Sequence, residues 1–149
     1  EMPEVRFLIL GSAGVALAAE DPPVNVDLTG PVHEAFLHAV LALADVALNP
    51  MLSGSGTNLK MLEYAGAGLP LVSSEFGARG LGFVAGDHYL RGEPATLAAA
   101  LGRLRSEQPS VTRRRVELAY GRVAAAFGWR AIAERWLARD AVQELIHFP

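Results

Sequence analysis

The sequence predicts an α/β fold, in which helices flank a Rossmann-like parallel sheet and the carboxyl-terminal part is helical. Short apolar runs of strand length alternate with stretches of helical spacing, which is the order of a βαβ sheet whose strands are buried on both faces. Beyond Pro94 only helical spacing remains. The 149 residues suit a single domain, 1–149, with a substantial core.

We place four strands on the apolar runs of the first half of the chain: 5–10, 24–29, 45–49 and 69–73. Pro22-Pro23 precedes the second strand, Pro50 ends the third, and Pro70 opens the fourth. These breaks set the strand boundaries.

The spacing predicts helices between and after these strands. A short helix over 12–20 stops before Pro22, and a second covers 33–44. A third begins near Gly56 or Thr57 and runs to Gly66-Ala67-Gly68, a sequence that suits a helix end. Pro109 and Gly128 then separate the last three helices, at 94–107, 110–127 and 129–146.

Composition excludes several classes of protein. Half of the residues are apolar (51%), yet no run approaches the eighteen apolar residues of a membrane span. The absence of cysteine excludes disulfide scaffolds, thiolate metal sites and cysteine nucleophiles. The net charge of −3 gives no reason to expect a nucleic-acid partner. The start, Glu1-Met2-Pro3-Glu4, does not resemble a signal peptide, and we interpret the chain as a piece of a longer protein.

The sequence partly matches two nucleotide-binding motifs but lacks residues or spacings that each of them requires. Lys60 follows a glycine-rich stretch as in a phosphate-binding P-loop, but the next residue is Met61 instead of Ser or Thr, and the glycine spacing differs. The segment after the first strand, Gly11-Ser12-Ala13-Gly14, lacks the dinucleotide pattern Gly-x-Gly-x-x-Gly. A P-loop and an NAD site are therefore not supported.

Two catalytic motifs also fail on spacing. His33 and His38 are one residue too far apart for a zinc protease helix, so we interpret both as ordinary helix residues. A nucleophile elbow around Ser55 would need glycines where Ser53 and Thr57 stand. The sequence thus gives no zinc site and no hydrolase triad.

Two features of the carboxyl-terminal helices have ordinary explanations. Arginines that could hold a phosphate or an acidic lipid are interpreted instead as a solvated helix face, because acids are interleaved with them: Arg113, Arg114, Arg115, Arg122 and Arg130. A stripe at helical spacing is expected to pack against the sheet or a partner domain: Trp129, Ile132, Ala133, Trp136 and Leu137.

One motif carries chemistry, the strand–loop–helix–strand unit from Asn49 to Ser74. Glycines and small hydroxyl residues over 53–58 let an anion approach the backbone, and unpaired N–H groups at a helix start face it, which suits a diphosphate. Lys60, the only lysine, could reach such a phosphate, and Glu63 on the same helix face could accept hydrogen bonds from a ribose diol. An ordinary surface pair fits the same spacing, so both interpretations stay open. We expect Leu59, Leu62 and Ala65 to face the sheet.

The segment Gly54-Ser55-Gly56-Thr57-Asn58-Leu59-Lys60-Met61-Leu62-Glu63 resembles the signature of the group 1 (family 4) glycosyltransferases of GT-B fold. Further pieces in the family order extend the resemblance over nearly the whole chain: 6–11, 26–32, 44–50, 76–81 and 127–129.

The resemblance implies a truncated donor-binding domain of a retaining glycosyltransferase, which transfers a hexose-type sugar from a nucleoside diphosphate to an unknown acceptor. It implies that Glu63 binds the ribose hydroxyls and that backbone amides near Gly56, Thr57 and Asn58 bind the diphosphate. It also implies that Asp45 has a structural role. The donor-binding residues are then Gly54, Ser55, Gly56, Thr57, Asn58, Leu59, Lys60 and Glu63. No catalytic residue, cofactor or metal is assigned.

Two departures from the family pattern stand out. Ser55 takes the place of the first glutamate of the pattern and cannot accept hydrogen bonds as a carboxylate does. By the resemblance, we expect a first strand–helix unit with basic phosphate ligands and the amino-terminal acceptor-binding domain to be missing from this chain. We therefore expect the fragment alone to be inactive.

Other functions fit the same pattern. A non-catalytic nucleotide-binding or scaffolding module would keep the fold without turnover, and Ser55 allows it. A sugar-nucleotide epimerase of similar architecture would need carboxylates for proton abstraction, and the loop Gly54-Ser55-Gly56-Thr57 argues against it. The expected location is cytoplasmic, with the full-length parent peripheral at the inner membrane.

Overall fold

The structure, a computed structural model, describes residues 2–138. The chain divides into two compact units, Glu1–Ala44 and Asp45–Pro149. Each unit is mixed α/β with a small parallel sheet. The α/β class predicted from the sequence is confirmed, while the interpretation of 1–149 as a single domain stays a prediction.

The first unit contains one parallel strand pair and two helices. Strand β1 (Phe7–Ile9) pairs with β2 (Val26–Leu28), and helix α1 (Ser12–Leu17) connects them. Gly14 lets α1 lie directly on the strand ends, because a Cβ there would stand 2.8 Å from the carbonyl oxygen of Ile9. Helix α2 (Glu34–Leu43) follows, and His33 caps it by accepting from the N–H of Ala35.

The second unit contains a three-stranded parallel sheet in the order β3-β4-β5. The strands are β3 (Ala47–Asn49), β4 (Leu71–Ser73) and β5 (Leu90–Arg91). Helix α3 (Leu59–Gly66) connects β3 to β4. A 3-10 turn (Pro94–Thr96) then leads into three helices, α4 (Leu97–Ser106), α5 (Pro109–Phe127) and α6 (Trp129–Leu137).

The core of the second unit lies between the sheet and the helices α3 and α4, and α5 packs against α3. Met61, Val72 and Leu81 are fully buried, and Ala119 of α5 is closed off as α5 packs against α3. The expectation that Leu59 faces the sheet is wrong, because its side chain is 65% exposed. Met61 is buried instead: it lies two residues further on, about 200° around the helix, on the same face as Ala65.

The start of α5 also differs from the sequence-based expectation. Arg113 and Arg114 are exposed, but Arg115 is 5% exposed and forms a bidentate pair with Glu107, with N···O distances of 2.7 and 2.8 Å. Arg115 shares a helix face with Ala119, so the packing of that face buries it. The interpretation of the whole run as a solvated face is wrong for this residue.

The observed elements match the predicted ones, mostly with shorter ends, although α5 begins one residue earlier than predicted. All four predicted strands are present, α3 begins two or three residues later than predicted, and β5 is additional. The predicted helix 129–146 is described only to Leu137, and its remainder lies outside the described residues. Within residues 2–138, no helix combines the length and the apolar character needed to cross a bilayer.

Candidate functional site

The carboxyl ends of the three parallel strands of the second unit lie side by side and carry the candidate site. The strand β3 ends at Asn49, β4 ends at Ser73 and β5 ends at Arg91. The loops that follow are therefore neighbours: 50–58, 74–80 and 92–96. Ligands of parallel α/β sheets bind at this edge, because the loops there are free to vary while the strands hold them in place.

A buried polar network joins the first two loops. The side-chain amide of Asn49 donates to the carbonyl oxygen of Gly77 at 3.2 Å, and the hydroxyl of Ser73 lies 3.1 Å from the carbonyl oxygen of Asn49. Ser74 donates from its hydroxyl to the carbonyl of Met51 and accepts from the N–H of Gly77 at 2.9 Å. Asn49, Ser73 and Ser74 are all buried. The network holds loop 74–80 against loop 50–58.

Asn58 adds a further link between these loops. As the residue before α3, it could cap the helix, but its side chain makes no capping hydrogen bond. It donates instead to the carbonyl oxygen of Gly77 at 3.2 Å and contacts the sulfur of Met51. The first-turn N–H groups of α3 are consequently left without a side-chain cap.

The glycine-rich loop has a backbone that only glycine adopts readily. Gly54 has φ 141° and Gly56 has φ 72°, both in the region that disfavours residues with a Cβ. Residues 52–57 are exposed. Within the described part of the chain, no acceptor receives a hydrogen bond from the backbone N–H of Ser55 or of Thr57. The loop thus presents unpaired donors to solvent.

Arg79 lies against this loop from the protein side. Its Nη2 donates to the carbonyl oxygens of Gly54 at 3.1 Å and of Gly56 at 3.0 Å, and its Nη1 donates to that of Phe76 at 2.8 Å. The guanidinium also stacks on the Phe76 ring, 3.7 Å from its centroid. Arg79 therefore holds three backbone carbonyls and one aromatic face at once.

Lys60 and Glu63 lie on one exposed face of α3, as the spacing predicts. Neither side chain forms a hydrogen bond or an ion pair with another described residue. Both heads are therefore available to a ligand, and the structure brings them next to the loop that leads into α3. Their assignment to phosphate and ribose stays a prediction.

A cluster of charged side chains marks the third loop. Arg91 pairs with Glu75 at 2.7 Å and with Glu93 at 3.1 Å, and Glu93 also accepts from the N–H of Glu75 at 3.0 Å. Nearby Tyr89 is buried, and burial, reinforced by the Glu75 carboxylate, raises the pKa of its hydroxyl. These contacts tie the end of β5 to the loop after β4.

The sequence analysis did not identify the residues whose hydrogen bonds hold the loops of the site together: Asn49, Ser73, Ser74, Gly77 and Arg79. A polar side chain at the last position of two buried strands is the signal that could have found Asn49 and Ser73. Arg79 has no such signal, because its partners lie 23 and 25 residues earlier in the chain.

A family model identifies the family of this chain, and similar solved structures show its fold. The family model described as glycosyl transferases group 1 matches residues 1–107. A sucrose-phosphate synthase from Thermosynechococcus elongatus superposes with a TM-score of 0.69 at 22% identity, over 93% of this chain and 38% of that one. Comparison with curated sequences gives no significant match.

Two further solved structures are similar. The C-terminal domain of a group 1 glycosyltransferase from Francisella tularensis has a TM-score of 0.61 at 17% identity, over 77% of this chain and 59% of that one. The pneumococcal O-GlcNAc transferase GtfA, solved in complex with UDP and GlcNAc, has a TM-score of 0.67 at 21% identity, over 99% of this chain and 31% of that one. The chain thus spans from about a third to three fifths of these structures, and the likeness shows the fold.

Proposed function

Because this chain belongs to the group 1 glycosyltransferases, we propose that it is the donor-binding part of a retaining enzyme that transfers a hexose-type sugar from a nucleoside diphosphate. The similarity to a transferase solved with UDP supports a nucleotide of this kind. The nucleotide sugar is then the ligand of this chain, and an amino-terminal domain supplies the acceptor site.

The proposal rests on the unpaired backbone N–H donors in the loop before α3. The N–H groups of Ser55 and Thr57 have no acceptor among the described residues, and the first turn of α3 lacks a side-chain cap. Backbone donors of this kind, next to a helix start, favour a phosphate group. A diphosphate would therefore bind across residues 54–60.

The exposed side chains of α3 extend this site along the helix. Lys60 lies in the first turn, where its ammonium can pair with a phosphate oxygen that the backbone holds. Glu63 lies almost one turn further on, where its carboxylate can accept from the two ribose hydroxyls. A phosphate followed by a ribose is the order of a nucleoside diphosphate.

The protein's role in the reaction is to position the donor and to stabilise charge. In a retaining transfer, the bond between the anomeric carbon and the diphosphate oxygen breaks, and the new bond forms on the same face of the sugar. Negative charge grows on the departing diphosphate, and donors that already face it lower the barrier. By family likeness, the diphosphate takes the proton of the acceptor hydroxyl, so no residue of this chain is assigned as a base.

Ser55 favours a second candidate, a nucleotide-binding or scaffolding module without turnover. Its hydroxyl stands where the family pattern has a glutamate, and it is exposed in the loop. Both candidates predict nucleotide binding. Sugar transfer by the full-length protein would support the enzyme, and binding without transfer would support the module.

Calorimetric titration of the full-length protein tests the proposal, with UDP, GDP, ADP and dTDP as ligands and CMP as a comparison without a diphosphate. We expect one nucleoside diphosphate to bind at least about tenfold more tightly than CMP, since the backbone donors contact two phosphates. Removal of divalent cations with EDTA should change this affinity by less than about twofold. Failure of every nucleoside diphosphate to bind would refute the proposal.

A further inference from the structure

Arg79 is a charged side chain in the second unit that the sequence motifs leave without a role. All its hydrogen-bond acceptors are neutral carbonyl oxygens, those of Gly54, Gly56 and Phe76. No carboxylate among the described residues lies within ion-pair distance of it. The positive charge of Arg79 therefore lies next to the carbonyls of the glycine-rich loop, and no carboxylate of the described residues pairs with it.

The contacts of Arg79 set the direction of two peptide groups. A trans peptide is planar, so the carbonyl of one residue and the N–H of the next point in opposite directions. The carbonyls of Gly54 and Gly56 point toward Arg79. The N–H groups of Ser55 and Thr57 must then point away from Arg79, and, like the other backbone N–H groups of residues 52–58, they have no acceptor among the described residues.

We propose that Arg79 is the positioning residue of the diphosphate site: its guanidinium holds the loop so that the N–H groups of Ser55 and Thr57 face the ligand, and its charge favours an anion there. The inference rests on the proposed function, because it takes a diphosphate as the ligand of the loop. Arg79 contacts the loop's carbonyls and acts on the ligand through them.

The geometry of the guanidinium explains why this residue is an arginine. One nitrogen donates to two carbonyls of the loop, a second donates to the carbonyl of Phe76, and the guanidinium carbon lies over the Phe76 ring, 3.7 Å from its centroid. A lysine ammonium keeps the charge but has neither the fork nor the flat face. A glutamine keeps a donor but has no charge. The two substitutions therefore separate the effect of Arg79 on the orientation of the loop from the effect of its positive charge.

Calorimetric titration of the full-length protein with inorganic diphosphate and with its preferred nucleoside diphosphate tests the proposal. We expect Arg79→Lys to lower both affinities by about 5- to 20-fold, and Arg79→Gln by about 30- to 100-fold. The affinity of Arg79→Lys should fall with added salt as steeply as that of the wild type, whereas the affinity of Arg79→Gln should fall less steeply. Partial recovery in the lysine variant and the changed salt dependence are effects that a purely structural role would not produce.

Arg122→Lys is the matched control, because Arg122 also donates to a loop carbonyl, that of Leu81 at 3.1 Å, but outside the glycine-rich loop. It should bind both ligands within about twofold of the wild type. Urea unfolding of each variant shows whether it is folded. If Arg79→Gln is unfolded, the affinities of Arg79→Lys, the milder change, test the inference. The inference is overturned if the folded Arg79 variants bind diphosphate as the wild type does, or no worse than Arg122→Lys. A wild type that binds no diphosphate overturns the proposed function and this inference together.

Discussion

Gly77 shows at the scale of one residue how the site depends on a missing side chain. A Cβ built there would lie 2.6 Å from both the side-chain amide nitrogen of Asn49 and the hydroxyl of Ser73, closer than real Cβ contacts allow. The carbonyl of Gly77 also accepts from Asn49 and from Asn58, each at 3.2 Å. The two loops can therefore approach each other only because this position has no Cβ.

Gly77→Ala should destabilise the chain by about 1–3 kcal/mol, because the buried partners must move apart to admit the methyl group. Urea unfolding measures the change. Gly102→Ala is the control, since a Cβ at that exposed helical position meets nothing within 4 Å, and it should raise stability by about 0.5–1 kcal/mol. Equal stability of Gly77→Ala and the wild type would show that the loops adjust without cost.

Lys60 and Glu63 can be separated by their ligands. Glu63→Ala should weaken the binding of a nucleoside diphosphate by about ten- to a hundredfold and leave inorganic diphosphate nearly unchanged, because only the nucleotide carries ribose. Lys60→Ala should weaken both ligands, since both carry phosphates. Calorimetric titration of the full-length variants measures this.

Controls for these two variants come from exposed charges elsewhere. Glu117→Ala and Arg113→Ala alter exposed residues of α5 and should leave both affinities unchanged. A Glu63→Ala protein that binds nucleotide normally would favour the ordinary surface-pair interpretation of this helix face.

At the scale of an element, the junction of α4 and α5 is held by a buried ion pair. Glu107 accepts from Arg115 and, at 2.9 Å, from the hydroxyl of Thr112, while Arg115 also donates to the carbonyl of Gly86 at 3.0 Å. The Arg115 hydrogen bonds lower the pKa of the Glu107 carboxyl from 4.5 to about 2. The pair thereby connects the start of α5 to the loop before β5.

The lowered pKa of Glu107 predicts a specific acid response. The stabilisation is complete above the unfolded pKa near 4.5 and is lost as the pH falls through about 2, where the folded state takes up the proton. Glu107→Gln should cost about 1–2 kcal/mol at pH 7, and this difference from the wild type should vanish near pH 2. Urea unfolding across this range checks it, with Glu117→Gln as the exposed control. A difference that persists unchanged at pH 2 would contradict the assignment.

Sequence patterns predicted the helices and strands that are determined by residues close together in the chain. Strands β1 to β4 were found because each lies on a short apolar run, although only β4 is buried at every position and β1 and β2 are half-buried or exposed. Strand β5 was missed because it has two residues, and its neighbours Tyr89 and Gly92 give no apolar run. Sequence spacing did not predict that Met61 is buried and Leu59 exposed, because that depends on the residue at which α3 begins. Asn58, the residue before α3, does not mark this start by a side-chain cap, since its amide donates to the carbonyl of Gly77 instead.

The candidate site divides in the same way. The glycine-rich loop and the shared face of Lys60 and Glu63 follow from spacing along one segment. Asn49, Ser73, Gly77 and Arg79 act through contacts between segments about 20 to 30 residues apart, which no local pattern encodes. The loop was therefore predicted, and the residues that hold it were not.

For the whole molecule, the share of the related structures that this chain covers leads to a prediction about activity. The chain spans 31–59% of the similar solved structures, and sugar transfer in a GT-B enzyme needs two domains around the substrates. The isolated 149-residue chain should therefore transfer no sugar from any nucleotide donor. A coupled assay for released nucleoside diphosphate measures this, with the full-length protein as the positive control. Turnover by the isolated chain would contradict the prediction.

The apolar stripe on α6, which the sequence predicts to pack against the sheet or a partner domain, is largely exposed in the described part of the chain. On α6 the side chain of Trp129 is 87% exposed and that of Trp136 is 56% exposed. They are seven residues apart and share a helix face with Ile132. Among the described residues, nothing covers this apolar face fully.

These two indoles are the only tryptophans in the chain, so its tryptophan fluorescence comes from one helix face. Water around the indoles shifts their emission to long wavelength, and contact with another apolar surface shifts it to short wavelength. Excitation near the red edge of indole absorption would therefore follow the covering of α6 without any attached dye. The glycine-rich loop contains no tryptophan, so this emission would report the covering of α6 without a contribution from the loop that is proposed to bind nucleotide.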